Sequence, residues 1–215
     1  MFLVSLPIFL MAQPAEEEVS PRRKAMDNVE ALKKGVLIVR LPSNAKKIKA
    51  LSDLQNTPGL KPKVKSRVSR KLETTIAEGQ SDNRTMVAIF REKYLFSELC
   101  FIYDTAVVQL KKGITDGYFL NDALEIDPGI SIAGKNWFSL YIGYLDATQQ
   151  SGAEAFILTD SSLNELPPPF PTAIRLDNLS YLINKALAPE IAVRKRMEKA
   201  VKKLQEKLKS FYEGG

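Results

Sequence analysis

Two periodicities of apolar residues recur along this chain, one typical of β-strands and the other of amphipathic α-helices. Short runs rich in branched and aromatic side chains, bounded by glycine, proline and polar residues, predict buried strands. Four such strands are predicted, at residues 35–41, 99–104, 137–145 and 155–158. The last two are expected to pair antiparallel. The proline-rich segment 167–171 predicts an extended crossing into 172–176, in which an X-Pro bond can be cis.

Apolar residues spaced by three or four positions predict the helices. A first helix follows Ser43, which can cap it. The apolar positions of the next two helical segments are Val64, Val68, Leu72 and Ile76, and then Met86, Ile89, Phe90 and Tyr94. Gly79–Asp82 lies between the two segments and is expected to interrupt them, which gives an antiparallel hairpin or one long broken helix. Residues 107–111 fit either a short helix or a strand.

The last element is a helix whose apolar residues form a regular stripe. They are Met197, Val201, Leu204, Leu208 and Phe211, and we expect this stripe to dock onto the sheet. The element order predicts an α/β (α+β) fold with a mixed central sheet, a helical hairpin after the first strand and a C-terminal amphipathic helix. This order is compatible with a thioredoxin-like topology. The compatibility concerns architecture alone, because the CxxC motif of thioredoxin chemistry is missing.

The N-terminal residues 2–12 are apolar except for Ser5 and Pro7. The run is shorter than the roughly 20 residues that a membrane-spanning helix needs, and its length matches the apolar region of a secretory signal. We therefore predict a signal peptide at 1–12, a flexible leader at 13–34, and a single domain at 35–213 with no transmembrane span. The alternative is that the run forms a buried strand of a soluble protein.

The chain contains no histidine and a single cysteine, Cys100. This composition excludes histidine-based catalysis, imidazole metal sites, an internal disulfide and CxxC redox chemistry. Cys100 lies in an apolar run and is predicted to be a buried thiol without a chemical role. The chain also lacks phosphate-loop, nucleophile-elbow and zinc-protease motifs. We therefore expect a protein that is not an enzyme and has no cofactor.

The net charge of +6 is unevenly distributed along the chain. Residues 22–112 carry 20 basic and 9 acidic side chains, residues 113–190 carry 3 and 10, and residues 191–215 carry 8 and 3. The basic helical faces are either ordinary solvated surface or a surface that attracts an anionic partner, and oppositely charged faces could also self-associate. The candidate partner-binding residues are Lys65, Arg67, Arg70, Lys71, Arg194, Lys195, Lys199, Lys202 and Lys203.

The acidic residues of the middle region do not predict a metal site. The stretch TDGYFLNDALE lacks the ligand register of an EF-hand, so turn residues are the favoured interpretation. Two carboxylates in a cleft could hydrolyse a glycosidic bond, which leaves a carboxylate-based hydrolase of an envelope polymer as one alternative. The aromatic residues fall mostly in predicted core elements, which disfavours nucleic-acid binding. A cytoplasmic RNA- or polyanion-binding protein is the other alternative.

Three segments together resemble a group of exported proteins of the Bacteroidota that has no assigned reaction. They read GVLIVRLPSNAKKIKAL, DGYFLNDALEIDP and EAFILTDSSLNELPPPFPTAIR, and the resemblance covers most of residues 35–212. It implies a periplasmic or envelope location and carries over no functional residue.

These features predict a non-enzymatic, periplasmic or otherwise exported domain that binds another component of the cell envelope, with a protein as the expected partner. The expected surfaces are the basic helical faces at 61–93 and 194–209 and the insert at 113–135. The sequence leaves the partner's identity and the oligomeric state open.

Overall fold

The computed structural model describes residues 20–145, 153–177 and 189–214. The predicted signal peptide at 1–12 lies outside these ranges. The described residues form a five-stranded sheet of order β2-β1-β3-β4-β5. Its strands are β1 (Val36–Leu41), β2 (Glu98–Tyr103), β3 (Trp137–Tyr144), β4 (Glu154–Thr159) and β5 (Ala173–Arg175). The first three strands are parallel, whereas β4 runs antiparallel to β3 and to β5.

Helices accompany the sheet in the predicted mixed α/β arrangement. They are α1 (Pro21–Lys34), α2 (Ala45–Gln55), α3 (Pro62–Lys93), α4 (Val107–Lys111) and α5 (Pro189–Glu213), with one 3-10 turn at Asp104–Ala106. Side chains of α1, α3 and α5 form one core cluster with the inward-facing residues of the strands. Members of that cluster include Leu32, Leu37, Val39, Phe90, Phe156, Val201 and Leu204. This confirms the prediction that the C-terminal helix docks onto the sheet.

The opposite face of β1 and β2 is covered by the insert between β2 and β3. Strand residues alternate between the two faces, so Ile38 and Cys100 point away from the helices. They pack with Phe119 and Ile132 of the insert. The insert is therefore part of the folded core. Residues 107–111, for which the sequence allowed a helix or a strand, form the short helix α4.

Residues 21–34, which were expected to belong to a flexible leader, form the helix α1 instead. The Ser20 hydroxyl accepts a hydrogen bond from the Arg23 amide at 3.3 Å, and Pro21 occupies the first helical turn. Three residues spaced by four and three positions are buried against the core: Ala25, Val29 and Leu32. The predicted leader is therefore wrong for residues 21–34, which belong to the folded domain.

The predicted break at Gly79–Asp82 is wrong, because α3 is one continuous helix of 32 residues. A side chain at Gly79 would place its Cβ 2.8 Å from the Asn44 side-chain nitrogen. The glycine thus allows a close approach of two chain segments and does not end a helix. Between β4 and β5, the Asp160 carboxylate accepts the amides of Ser162 and Asn164 in a turn.

Candidate functional site

A helical arm, residues 45–78, extends beyond the carboxyl end of strand β1. It consists of α2 and the first half of α3, two antiparallel segments joined at residues 56–61. At about 1.5 Å per residue, α3 is about 48 Å long, whereas a six-residue strand spans about 20 Å. The chain leaves β1 at the level of Gly79, which the Asn44 side chain approaches. The 17 helical steps from Pro62 to Gly79 therefore project about 25 Å past the sheet.

The arm has little core of its own. No residue of α2 is buried, and Val68 and Thr75 are the buried residues in the first half of α3. The Gln55 side chain donates a hydrogen bond to the Ser69 hydroxyl at 2.7 Å, which joins the two helices near the tip. The apolar stripe remains partly open, with Leu54 44% and Val64 39% exposed.

Positive charge is concentrated on this arm. It carries nine basic residues against three acidic ones, so its net charge equals the +6 of the whole chain. Four exposed basic residues project from one side of α3, because helical residues at i, i+4, i+7 and i+8 share a face. We refer to these residues, Lys63, Arg67, Arg70 and Lys71, as the cationic face.

The cationic face unites three of the four partner-binding residues predicted on α3. Lys65 is the exception, since it is rotated by about 160° from Arg67 around the helix axis and lies beside the apolar stripe. Neither Lys65 nor any residue of the cationic face forms an ion pair with a described residue. These side chains are exposed and keep their charge available to a partner.

The basic residues predicted on α5 are in a different electrostatic situation. Arg194 pairs with Glu198 at 2.8 Å and with Glu92 at 3.4 Å. Lys199 pairs with Asp177 at 2.9 Å, and Lys202 lies 3.9 Å from Glu206. Lys195 and Lys203 are exposed and have no described carboxylate within ion-pair distance. Much of the positive charge of α5 is therefore neutralised within the domain.

The two predicted basic surfaces do not merge into one. Arg194 lies near the end of α3, where it contacts Glu92, whereas Arg70 lies on the arm. The 22 residues between Arg70 and Glu92 correspond to about 33 Å along the helix. A partner bound to the basic residues of the arm would thus lie about 30 Å from those of α5.

The insert contributes mainly to structure. Its acidic residue Asp122 pairs with Arg91 at 3.0 Å, and its Lys135 pairs with Glu98 at 2.8 Å. The Asp127 carboxylate accepts the amide of Gly129 within a turn. Elsewhere, Glu154 forms an ion pair with Arg196. Four carboxylates are thereby engaged in turns or ion pairs, and within the described ranges no three cysteine or acidic side chains are grouped to hold a metal ion.

Cys100 is buried, as the sequence predicts, with 3% of its surface exposed. Burial in the core, with a smaller contribution from Glu98, raises the pKa of its thiol to about 11. A thiol with that pKa is almost entirely protonated at neutral pH and is a poor nucleophile.

The sequence interpretation missed a small crevice at the base of the arm, where the connection from β1 enters α2. Apolar side chains line it together with hydroxyl and amide side chains from three separate parts of the chain, among them Ser43, Asn44, Thr75 and Tyr103.

No protein-family model, curated protein or solved structure matches this chain. Of the helices in the described parts of the chain, none combines the length and the apolar character required to span a bilayer.

Proposed function

We propose that this protein is a non-enzymatic, exported binding domain whose arm docks onto an acidic protein of the cell envelope. The observation that carries the proposal is the cationic face, which forms no ion pair with a described residue and lies on a helix that projects from the body. Arg67 and Arg70 lie one turn apart, and each guanidinium can bind a carboxylate through two parallel hydrogen bonds.

The lack of ion pairs between the cationic face and the part of the chain that the structure describes favours a role in binding over a role in folding. An exposed cation without a partner contributes little to stability but creates a positive potential that attracts and orients an acidic protein. Pairing it with a partner's carboxylate does not require an existing ion pair to break. The same argument makes α5 the weaker candidate, since Arg194 and Lys199 already have carboxylate partners.

The composition of the arm favours a protein partner over a nucleic acid. Residues 45–78 contain no aromatic side chain, whereas proteins that bind single strands stack bases on aromatic rings. The exposed Leu54 and Val64 provide apolar area beside the basic residues, a combination typical of a protein interface with an apolar centre and a polar rim.

The proposal is tested by reversing charge on the arm and, as a matched control, on α5. The arm variant is Arg67→Glu, Arg70→Glu and Lys71→Glu, and the control is Lys195→Glu, Lys202→Glu and Lys203→Glu. Both variants change the net charge equally and at exposed positions. Binding to fluorescent polyglutamate is measured by anisotropy over a range of salt concentrations, together with binding to a single-stranded RNA of equal charge.

We expect the arm variant to lose about tenfold or more in affinity for polyglutamate, equal to about 1.4 kcal/mol, and the α5 variant to lose less. Equal losses in the two variants would contradict the assignment to the arm. Tighter binding of RNA than of polyglutamate would instead support the polyanion-binding alternative.

The export part of the proposal has its own test. N-terminal sequencing of the natively expressed protein is expected to show a mature chain that begins after residue 12. Recovery of the intact Met1 peptide would place the protein in the cytoplasm and support the RNA- or polyanion-binding alternative.

A further inference from the structure

A cavity of about 210 Å³ lies outside the carboxyl ends of β1 and β3. Its wall contains Pro42, the residue that follows β1, and Ile142 of β3. The chain leaves β1 towards β2 on one side, whereas β3 pairs with β1 on the other side, so the strand order reverses between β1 and β3. Ligands of open α/β sheets bind in the crevice at such a reversal. Residues of α3 and α5 close the cavity from the helical side of the sheet.

Apolar side chains from three elements form part of the cavity wall. They are Met86 of α3, Ile142 of β3, and Val193 and Met197 of α5. The flexible, unbranched methionine side chains can adapt to the shape of a hydrocarbon chain. One water molecule occupies about 30 Å³ in the liquid, so the cavity has room for a ligand of about seven non-hydrogen atoms. The site therefore suits a small molecule with an apolar portion.

Two asparagine side chains contribute neutral hydrogen-bonding groups to the same wall. Asn83 is 5% exposed, and its amide nitrogen donates to the Pro42 carbonyl at 2.9 Å. No described residue donates to its amide oxygen, although buried amides normally have partners for both atoms. Asn44 makes no capping hydrogen bond, and its amide nitrogen lies 2.8 Å from the place that a Cβ on Gly79, another residue of the wall, would take. The two asparagines can thus both donate to a ligand and accept from it.

The charged residues of the wall disfavour a charged ligand. The Arg196 side chain, which is only 9% exposed, forms an ion pair with Glu154. A ligand carboxylate or ammonium that competed for one partner would leave the charge of the other uncompensated at a poorly solvated position. Asp82, an exposed residue of the same wall, adds a negative charge that also repels a carboxylate.

We propose that this cavity binds a small neutral molecule that joins a carboxamide group to a short hydrocarbon chain. The carboxamide nitrogen donates to the Asn83 amide oxygen, and the carboxamide oxygen accepts from the Asn44 amide nitrogen. The hydrocarbon chain packs against Met86 and Met197. The inference goes beyond the proposed function, because the cavity lies in the body of the domain and its wall contains no residue of the cationic face.

The test uses the full chain and pentanamide as the probe, with binding followed by NMR at constant ionic strength. We expect a dissociation constant of about 1 mM, a value that ligands of this size reach. Two analogues divide the probe into its parts. Pentanoate has the same number of non-hydrogen atoms but carries a charge, and acetamide lacks the chain, so each should bind at least about tenfold more weakly. Pentanamide should shift the side-chain amide resonances of Asn44 and Asn83 and the methyl resonances of Met86 and Met197.

Two variants and one control locate the site. Asn44→Gly removes one amide from the wall at a position whose positive φ glycine tolerates, and it should weaken pentanamide binding about fivefold or more. Asn56→Gly, the same substitution at an exposed position at the end of α2, should leave the affinity unchanged. Ile142→Phe enlarges a partly buried side chain of the wall and should abolish binding. Thermal unfolding shows whether each variant is folded.

Three outcomes would overturn the proposal. They are no pentanamide binding below about 10 mM, equal affinities for pentanamide and pentanoate, and an unchanged affinity in the folded Asn44→Gly variant. The arm variant with Arg67, Arg70 and Lys71 reversed should bind pentanamide as the wild type does. Failure of this proposal is therefore distinguishable from failure of the proposed function.

Discussion

The arm and α5 have similar sequences but different surroundings. Both are amphipathic helices with a regular apolar stripe and a lysine-rich opposite face. In α5, Val201, Leu204 and Leu208 are fully buried against the sheet. In the arm, Leu54 and Val64 remain more than a third exposed, and no layer formed by residues 20–145, 153–177 or 189–214 covers them. A periodic pattern thus identifies the apolar face of a helix but not what covers it.

The two regions also differ in how far their basic residues are paired with carboxylates. Arg194 and Lys199 of α5 have carboxylate partners, whereas Arg67 and Arg70 of the arm have none among the described residues. A helix that has been packed and neutralised contributes to folding. A helix that is open and charged has contact area and electrostatic energy left for another molecule. This difference supports the proposal that the arm is the binding element, whereas α5 contributes to stability.

Truncation of one leucine in each region should give the largest contrast. Leu204→Ala removes a fully buried side chain and should lower the free energy of unfolding by about 2–5 kcal/mol, whereas Leu54→Ala should cost about 0.5 kcal/mol or less. Urea denaturation measures both. Comparable losses would mean that the arm is part of the cooperative core and would remove the basis of the comparison.

Hydrogen exchange should reveal the same contrast without substitutions. The arm buries few apolar side chains, so its amides should exchange by local opening, whereas amides of α5 from Val201 to Leu208 should require global unfolding. We expect exchange in residues 48–55 to be about 100-fold faster or more, a difference of about 2.7 kcal/mol in opening free energy. Uniform protection across α2 and α5 would show that the arm is docked more firmly than its packing indicates.

Much of the fold was predictable because its strands and helices carry their own periodic signals. The strand at 36–41 and the helix at 189–213 coincide with continuous apolar patterns that need no tertiary information. Helix α1 was missed because its buried residues, Ala25, Val29 and Leu32, are few and are embedded in a charged stretch that resembles a linker. The continuity of α3 was missed because a glycine inside a helix looks like a terminus until its close neighbour, Asn44, is known.

The candidate site was predictable in chemistry but not in geometry. Charge counts point to basic faces on both helices, and the residues Arg67, Arg70 and Lys71 do share one face. Nothing in the local sequence indicates that Arg194 and Lys199 meet carboxylates from elsewhere in the chain, at Glu92 and Asp177. Contacts between distant residues depend on how the helices pack, and local periodicity does not encode that.

Removal of a single lysine from each region should have a smaller effect. Lys199→Ala removes the ion pair with Asp177 and should lower the free energy of unfolding by about 0.5–1 kcal/mol at low salt. In 1 M salt the loss should be small, because the Debye length is then only about 3 Å and the ion pair is screened. Lys71→Ala, which breaks no ion pair with a described residue, should leave stability unchanged or raise it slightly. Thermal unfolding at two salt concentrations separates the outcomes. A salt-sensitive loss of stability in Lys71→Ala would mean that carboxylates of the protein itself neutralise the cationic face.

The smallest expected effect lies at Gly79, where the arm meets the body. Alanine normally stabilises a helix interior by about 1 kcal/mol relative to glycine, but here the new Cβ would lie 2.8 Å from the Asn44 side-chain nitrogen. The two effects oppose each other, and because that nitrogen ends a side chain that can move, we expect Gly79→Ala to change stability by about 0.5 kcal/mol or less. Adding Asn44→Gly removes the obstructing side chain and suits the positive φ of 55° at that position, so the double variant should gain about 1 kcal/mol. If Gly79→Ala alone gave the full gain in a urea titration, Asn44 would not hold the base of the arm against α3.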